Sequence, residues 1–198
     1  MNANVGMLHP VAATVATYTK GTGITYTGGT VIAGAKSASL QWERSDGEFY
    51  GDDILLDTDN GITGYTLDFE PTGLTDAARA LLLGEVANTG TTSNPYTITD
   101  APSPDVGFGY IRKMRATGND GTVSYSFEGW WFYKLKFGLG TEETQTKEKN
   151  IEWRTPTLNG KGTGVVLTSS GAASFAVHET FTIETSAITW LNTQAGIS

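Results

Sequence analysis

The chain has 198 residues, no cysteine and a formal net charge of −8, from 13 Lys and Arg against 21 Asp and Glu. A chain of this length can bury a core without disulfide bonds, and the lack of cysteine excludes thiolate metal sites and cysteine nucleophiles. The acidic balance repels a phosphate backbone and disfavours a nucleic-acid binder of the ordinary basic type.

Composition predicts one β-rich domain over residues 1–198. Glycine occurs 25 times, Thr is abundant, and 11% of the residues are aromatic, which suits pleated strands and tight turns. The N-terminal sequence has no basic segment followed by an apolar run, and no window approaches about 18 apolar residues. We therefore expect no targeting segment and no membrane contact. Synthesis in a reducing cytoplasm fits the absence of cysteine.

The first sixty residues predict peripheral structure and one strand. Residues 1–30 are poor in charge and rich in Gly and Thr, which predicts an arm or irregular hairpin outside the core. Residues 31–42 predict a strand, because Ala38, Leu40 and Trp42 alternate with polar residues. Residues 43–53 predict a charged loop, and the dipeptide Asn60-Gly61 predicts a hairpin turn.

The clearest pattern lies between residues 62 and 86. Tyr65, Leu67 and Phe69 alternate with polar residues, which predicts a strand buried on one face. A helix should follow, with Thr75 as its N-cap, because apolar residues recur there at helical spacing. These apolar residues are Ala78, Leu81, Leu82 and Val86.

The second half of the chain predicts a surface loop over residues 88–105, then further strands. Strands at 108–114 and 122–137 should form a β-hairpin around Gly118–Gly121. Gly129 is predicted to mark a β-bulge, since the aromatic side chains change sides near it. Residues 151–158 and 174–182 predict strands, residues 160–164 a glycine-rich turn, and residues 187–191 a short helix or a strand.

No catalytic, metal or cofactor site is predicted. His9 and His178 are far apart in sequence, and neither has a Cys or a spaced His nearby, so each is expected to be a surface or hydrogen-bonded side chain. Residues 57–61 differ from a calcium loop in the position of the glycine, and residues 160–164 differ from a phosphate loop in the residue after Lys161. We therefore do not expect an enzyme.

Trp130, Trp131, Phe132 and Tyr133 form an aromatic run. Such a run can be a sugar-stacking platform, although alternating rings in a long strand are more often core plus a packing face. A carbohydrate-binding β-sandwich, of the adhesin or receptor-binding type, is therefore the alternative function.

Several stretches together resemble the major tail proteins of long-tailed, non-contractile bacteriophages. They read HPVAATVATYTKG and ITYTGGTVIAGA, then FYGDDILLDTDNGITGYTLDFEPTGLTDAARALLLG, then VGFGYIRKMRATGNDG with YSFEGWWFYKLKFGLGTEETQTKEKNIEWRTPTLNG. These stretches cover most of the chain through residue 160. The resemblance implies a mainly β fold, a two-sheet β-sandwich flanked by one α-helix, with long loop and terminal arms.

In that family, six copies form a ring, and rings stack into a hollow tail tube through which DNA is ejected. The resemblance implies a structural virion protein whose partners are itself and the tape-measure and tail-terminator proteins. Residues 1–30 would be an arm between subunits or rings, residues 74–86 the flanking helix, and residues 161–198 C-terminal strands or an arm. The implied ring-stacking loop comprises Glu43, Asp46, Glu48, Phe49, Tyr50, Asp52 and Asp53. The implied helix core comprises Leu74, Ala78, Leu81, Leu82 and Val86.

Asp68 and Glu70 are the candidate lumen-facing acids, because they lie on the polar side of the predicted strand at 62–70. The alternative is that they face solvent or a neighbouring subunit. A ring of six chains, each with a charge of −8, would carry about −48 and let DNA slide without specific binding.

Overall fold

The computed structural model describes residues 2–32, 34–51, 54–88, 95–118, 121–142, 155–169 and 171–197, with backbone alone for residues 2, 48–51 and 54–59. Strands dominate the described chain. They are β1 (Asn2–Thr19), β2 (Gly23–Val31), β3 (Ala35–Arg44), β4 (Gly47–Gly51), β5 (Ile54–Asp59), β6 (Ile62–Pro71), β7 (Val86–Ala87), β8 (Tyr96–Thr97), β9 (Val106–Thr117), β10 (Val123–Leu139), β11 (Leu158–Gly162) and β12 (Ala176–Phe181). The helices are α1 (Asp76–Leu83) and α2 (Glu184–Ala195).

β10 joins the two layers of a β-sandwich, because its two halves pair with different neighbours. One edge of β10 pairs with β9, while the other pairs with β12 over residues 127–132 and with β11 over residues 135–139. The first layer therefore has the order β2-β1-β9-β10-β12, and the second layer the order β10-β11-β6-β3. The predicted mainly β sandwich is confirmed, and its two layers are one continuous antiparallel sheet.

The side-chain alternation of β10 changes at an irregularity between Phe132 and Leu135. Phe132 before it and both Leu135 and Phe137 after it are buried between the layers. The prediction of a bulge at Gly129 is wrong, since pairing with β9 is regular at that residue. An extra residue bends a strand and re-aims its side chains, which lets β10 belong to both layers.

The core between the layers is aromatic. Tyr65, Leu67 and Phe69 of β6 are fully buried there, as their alternation predicts. The rings of Phe69 and Phe108 lie 5.0 Å apart, centroid to centroid, at an interplanar angle of 60°, which is a favourable aromatic geometry. Burial of each large apolar side chain stabilises the fold by about 1.5–3 kcal/mol, so this core holds the second layer against the first.

α1 begins as the sequence predicts. The Thr75 Oγ1 atom accepts a hydrogen bond from the backbone N–H of Ala78 at 3.2 Å, and this N-cap satisfies one of the free donors of the first turn. Ala78 and Leu82 are buried against the core, with Leu74 and Leu81 partly buried beside them. The predicted helix core is confirmed for Ala78, Leu81 and Leu82, whereas Leu74 precedes the N-cap and packs on the core from outside the helix.

α1 ends earlier than predicted. Gly84 adopts the left-handed conformation at φ 76°, and its N–H donates to the carbonyl of Ala80 at 3.1 Å, a glycine C-cap. Val86 therefore lies outside the helix, in β7, with 52% of its surface exposed. Its assignment to the helix core is wrong.

A second helix, α2, covers the outer face of the first layer, so the prediction of a single flanking helix is wrong. Ala187, Leu191 and Ala195 recur at four-residue spacing and are fully buried in a second core against β1, β9 and β10. Residues 187–191 thus form a helix, the first of the two predicted alternatives. Residues 161–198 contribute the end of β11, β12 and α2 to the body of the fold.

Residues 2–31 belong to the sheet, and the prediction of an arm outside the core is wrong. β1 lies between β2 and β9 and pairs with both, and Val11, Ala12 and Ala13 are fully buried. The hairpin part of the prediction is confirmed, with Gly21 at φ 79° in the turn. The ladder with β9 joins distant parts of the chain, which a local pattern cannot reveal.

Two segments at the end of the second layer also differ from the predicted secondary structure. Residues 155–157 are not in a strand, and residues 151–154 lie outside the described residues. The glycine-rich segment predicted as a turn instead contains the end of β11, which pairs with β6 and β10. Gly162 leaves room for the ring of Tyr65, because a Cβ would overlap that ring.

Candidate functional site

The prediction of a charged loop at 43–53 is wrong for most of its described residues, because Glu43 and Arg44 end β3 and Gly47–Gly51 form β4. β4 and β5 pair with each other from Gly47–Asp59 to Gly51–Ile54 and continue the β3–β6 ladder, whose last pair is Arg44–Ile62. The Ser45 N–H donates to the Gly61 carbonyl at 2.8 Å between the two ladders. The Asn60-Gly61 dipeptide thus lies at this junction, and the prediction of a hairpin turn there is wrong.

The residues of the implied ring-stacking loop lie at different places along this ladder. Glu43 lies in β3, where a carboxylate oxygen is 4.0 Å from the Lys161 Nζ atom, and Asp46 is exposed at the junction. Glu48, Phe49 and Tyr50 are in β4, and their side chains lie outside the description. Asp52 and Asp53 lie outside the described residues.

The segment 45–60, which we call the acidic hairpin, contains most of the net charge of the chain. Six of its residues are Asp or Glu, and none is Lys, Arg or His. These acidic residues are Asp46, Glu48, Asp52, Asp53, Asp57 and Asp59. The principal contacts of β4 and β5 are with each other, so these two strands extend the β3–β6 ladder beyond the sandwich.

Asp68 and Glu70 lie on the outer, polar face of the second layer, as the alternation of β6 predicts. Asp68 is exposed, and its Oδ1 atom accepts a hydrogen bond from Asn159 Nδ2 at 2.6 Å. Glu70 accepts hydrogen bonds from Lys36 Nζ at 2.7 Å, from Ser37 Oγ at 3.1 Å and from the Thr155 hydroxyl. The hydrogen bond from Lys36, followed by that from Thr155, lowers the pKa of Glu70 below its usual value.

This polar face carries charges of both signs. Lys36 forms an ion pair with Glu70, and Lys161 lies beside Glu43. The neighbouring Lys136 of β10 lies 3.8 Å from a carboxylate oxygen of Asp105. The two candidate lumen acids are therefore part of a mixed polar surface and not of a uniformly acidic one.

The sheet has strand edges without a partner in the described part of the chain. β2 and β3 stand at the two ends of the strand order. An unpaired edge presents free N–H and C=O groups to another chain. At the β1–β2 hairpin the hydroxyl oxygens of Thr17 and Thr25 are hydrogen-bonded at 2.6 Å. Val31, at the end of β2, has 49% of its surface exposed.

The aromatic run of β10 is packed within the fold. Trp131 and Phe132 are fully buried, one in each core. The Trp130 ring stacks on His178 of β12 at 4.7 Å and 16°, and the Arg112 guanidinium lies 4.5 Å from its centroid on the β9 side. Since β12 and β9 flank β10 on opposite edges, both faces of Trp130 are covered. A sugar-stacking platform at this ring is therefore not available.

The histidines are separate, hydrogen-bonded or stacked side chains. His9 Nε2 lies 2.8 Å from Asn192 Oδ1, and His178 Nδ1 lies 3.5 Å from Glu128. In the described residues no group of three or more His, Cys, Asp or Glu could hold a metal ion. Over the same part of the chain, neither helix is long and apolar enough to cross a bilayer.

One surface was missed by sequence reasoning. Lys113, Arg115, Val123 and Tyr125 lie together on the outer face of the first layer, next to the part covered by α2. The signal was available in the alternation of β9 and β10, where Lys113 and Arg115 share a side. The pairing register was needed to place them beside Tyr125.

No protein-family model matches the chain, and no functionally curated protein is significantly similar to it.

Proposed function

We propose that the protein is a structural virion subunit that assembles with copies of itself into stacked rings, forming the tail tube of a long-tailed bacteriophage. The observation that carries this proposal is the acidic hairpin, which continues two strands of the sandwich beyond the body of the subunit. A projecting hairpin of this kind can reach a neighbouring subunit, as the resemblance to major tail proteins implies.

The strand edges support the ring. Exposed, unpaired edges in a β-rich protein are an aggregation hazard unless another chain covers them. Among the described strands, β2 and β3 are such edges at opposite ends of the strand order, so two different surfaces are offered. Heterologous contacts between different surfaces generate a ring when the rotation closes, and six copies are the number that the family implies.

The polar face of the second layer supports a channel for DNA. Asp68 and Glu70 lie on that face with Lys36 and Lys161, and the cations are paired with carboxylates. Paired cations offer few free charges to a phosphate backbone. Under this proposal DNA passes the face without specific binding, and the tape-measure and tail-terminator proteins are partners in the assembled tail.

The proposal predicts that the purified protein forms rings or tubes. Negative-stain electron microscopy across a series of protein concentrations, with analytical ultracentrifugation of the same samples, measures this directly. We expect annular particles with six subunits, and tubes as the concentration rises. A protein that stays monomeric under all of these conditions, and that shows glycan-dependent quenching of its tryptophan fluorescence, would favour a carbohydrate-binding module instead.

A further inference from the structure

The surface formed by Lys113, Arg115, Val123 and Tyr125, here called the basic patch, combines two cations with exposed apolar and aromatic side chains. The Lys113 Nζ atom lies 4.8 Å from the centre of the Tyr125 ring, while Val123 and Tyr125 are 43% and 49% exposed. Among the described residues, neither Lys113 nor Arg115 is within ion-pair distance of a carboxylate. Arg112 of the same strand differs, because its Nη1 atom lies 3.8 Å from a carboxylate oxygen of Glu128.

The acidic hairpin has the complementary chemistry. It carries six carboxylates and no cation, interspersed with Phe49, Tyr50 and three consecutive apolar residues at 54–56. Cations on an aromatic surface attract carboxylates and rings together, because cation–π contact and ion pairing both strengthen when water is excluded. The basic patch therefore suits a segment of this composition better than a purely acidic or a purely apolar one.

The two surfaces face different directions within one subunit. The acidic hairpin continues β3 and β6 of the second layer. The basic patch lies on the face of the first layer that also carries α2, which is turned away from the second layer. A contact between the hairpin and the patch is accordingly a contact between copies.

We propose that the basic patch is the receiving site for the acidic hairpin of a second copy of this chain. This inference rests on the proposed function, because it assigns the partner surface of the projecting hairpin. The contact is heterologous, since one copy gives the hairpin and the other the patch. The same contact then repeats from one copy to the next and joins many copies into one assembly.

Charge reversal on each side, with full-length protein, tests the contact. The patch variant is Lys113→Glu/Arg115→Glu, and the hairpin variant is Asp46→Lys/Glu48→Lys/Asp57→Lys/Asp59→Lys, which leaves four lysines against two carboxylates in the hairpin. Each variant alone places like charges together, and we expect its critical assembly concentration to rise roughly tenfold or more. A mixture of the two variants places opposite charges together at both kinds of contact, so assembly should return. Sedimentation velocity and electron microscopy measure both effects, and circular dichroism checks the fold of each variant.

With the single patch variant Arg115→Glu for comparison, the matched control is Lys20→Glu, which changes the net charge by the same amount at another exposed position. It should assemble like the wild type. If the wild type assembles and the patch variant assembles equally well, the inference is overturned and the proposed function stands. If both reversed variants fail to assemble and their mixture fails too, the hairpin does not meet this patch. If the wild type never associates, the inference and the proposed function both fall.

Discussion

At Gly129 the sheet has no side chain, and the indole ring of Trp190 lies in the space where one would stand. A Cβ at this position would lie 2.8 Å from the Cε3 and Cζ3 atoms of the ring, well inside normal contact distance. Gly129 therefore sets how closely α2 approaches β10. The sequence suggested a bulge at this glycine, and the structure gives it a packing role instead.

We expect the Gly129→Ala variant to lose about 1–3 kcal/mol of unfolding free energy, because the added methyl overpacks the contact with Trp190. Urea denaturation followed by circular dichroism measures the loss. Gly138→Ala is the matched control on the same strand, since the nearest described atom, the carbonyl oxygen of Asn159, would lie 3.9 Å from the new methyl. The loss of unfolding free energy caused by Gly129→Ala should be smaller in a Trp190→Ala background. An equal loss in that background would contradict overpacking against Trp190.

At the scale of elements, α1 is held on the sandwich by ion pairs of Arg79 as well as by its apolar face. The Arg79 Nη1 atom lies 3.3 Å from Glu85, whose side chain is only 7% exposed, and Nη2 lies 2.5 Å from Glu142. One guanidinium thus connects the helix to the segment that follows it and to the residues after β10. Removal of a cation from a nearly buried carboxylate is costly, because the remaining charge lacks both water and a partner.

The Arg79→Gln variant should lose about 2–3 kcal/mol of unfolding free energy. Glu142→Gln is the comparison, since that side chain is 44% exposed and such exposed pairs contribute about 1 kcal/mol or less. The double variant Arg79→Gln/Glu85→Gln should recover part of the loss by removing the stranded charge. Thermal and urea unfolding at neutral pH measure all three, and equal losses for Arg79→Gln and Glu142→Gln would refute the assignment.

The elements that sequence reasoning predicts well are those whose pattern is local and complete. β6 alternates without a break and occurs where predicted, and α1 begins after its Thr75 N-cap as predicted, although it ends earlier. The sequence signal for α2 is weaker. Its N-cap residue Ile183 makes no side-chain cap, and the Thr189 and Thr193 hydroxyls donate hydrogen bonds to backbone carbonyls four residues earlier. Thr at such positions is a modest helix former.

Local sequence patterns also predict the candidate surfaces only in part. The polar side of Asp68 and Glu70 follows from the alternation of β6 alone. Their charge environment does not follow from that alternation, because Lys36 and Asn159 contact them from other strands. The covering of Trp130 by Arg112 and His178 likewise depends on the register of three strands.

At the scale of the whole molecule, the acidic hairpin and the sandwich are structurally separable. The cores lie between the two layers and beneath α2, and neither includes a described side chain from residues 45–61. The junction at Ser45 and Gly61 has the hydrogen bond that a short hairpin turn would need. Removal of β4 alone would leave β5 without its partner, so a clean test must take away both strands.

We expect replacement of residues 46–60 by the dipeptide Asn-Gly to leave a folded subunit that no longer assembles. Asn-Gly suits a two-residue turn between Ser45 and Gly61, because both residues tolerate positive φ. The melting temperature should stay within a few degrees of the wild type, since the cores are intact. Thermal unfolding checks the fold, while sedimentation velocity and electron microscopy check assembly. Unimpaired rings and tubes from this shortened chain would show that the hairpin is dispensable, and the contact between copies would then have to be made by the edges of β2 and β3.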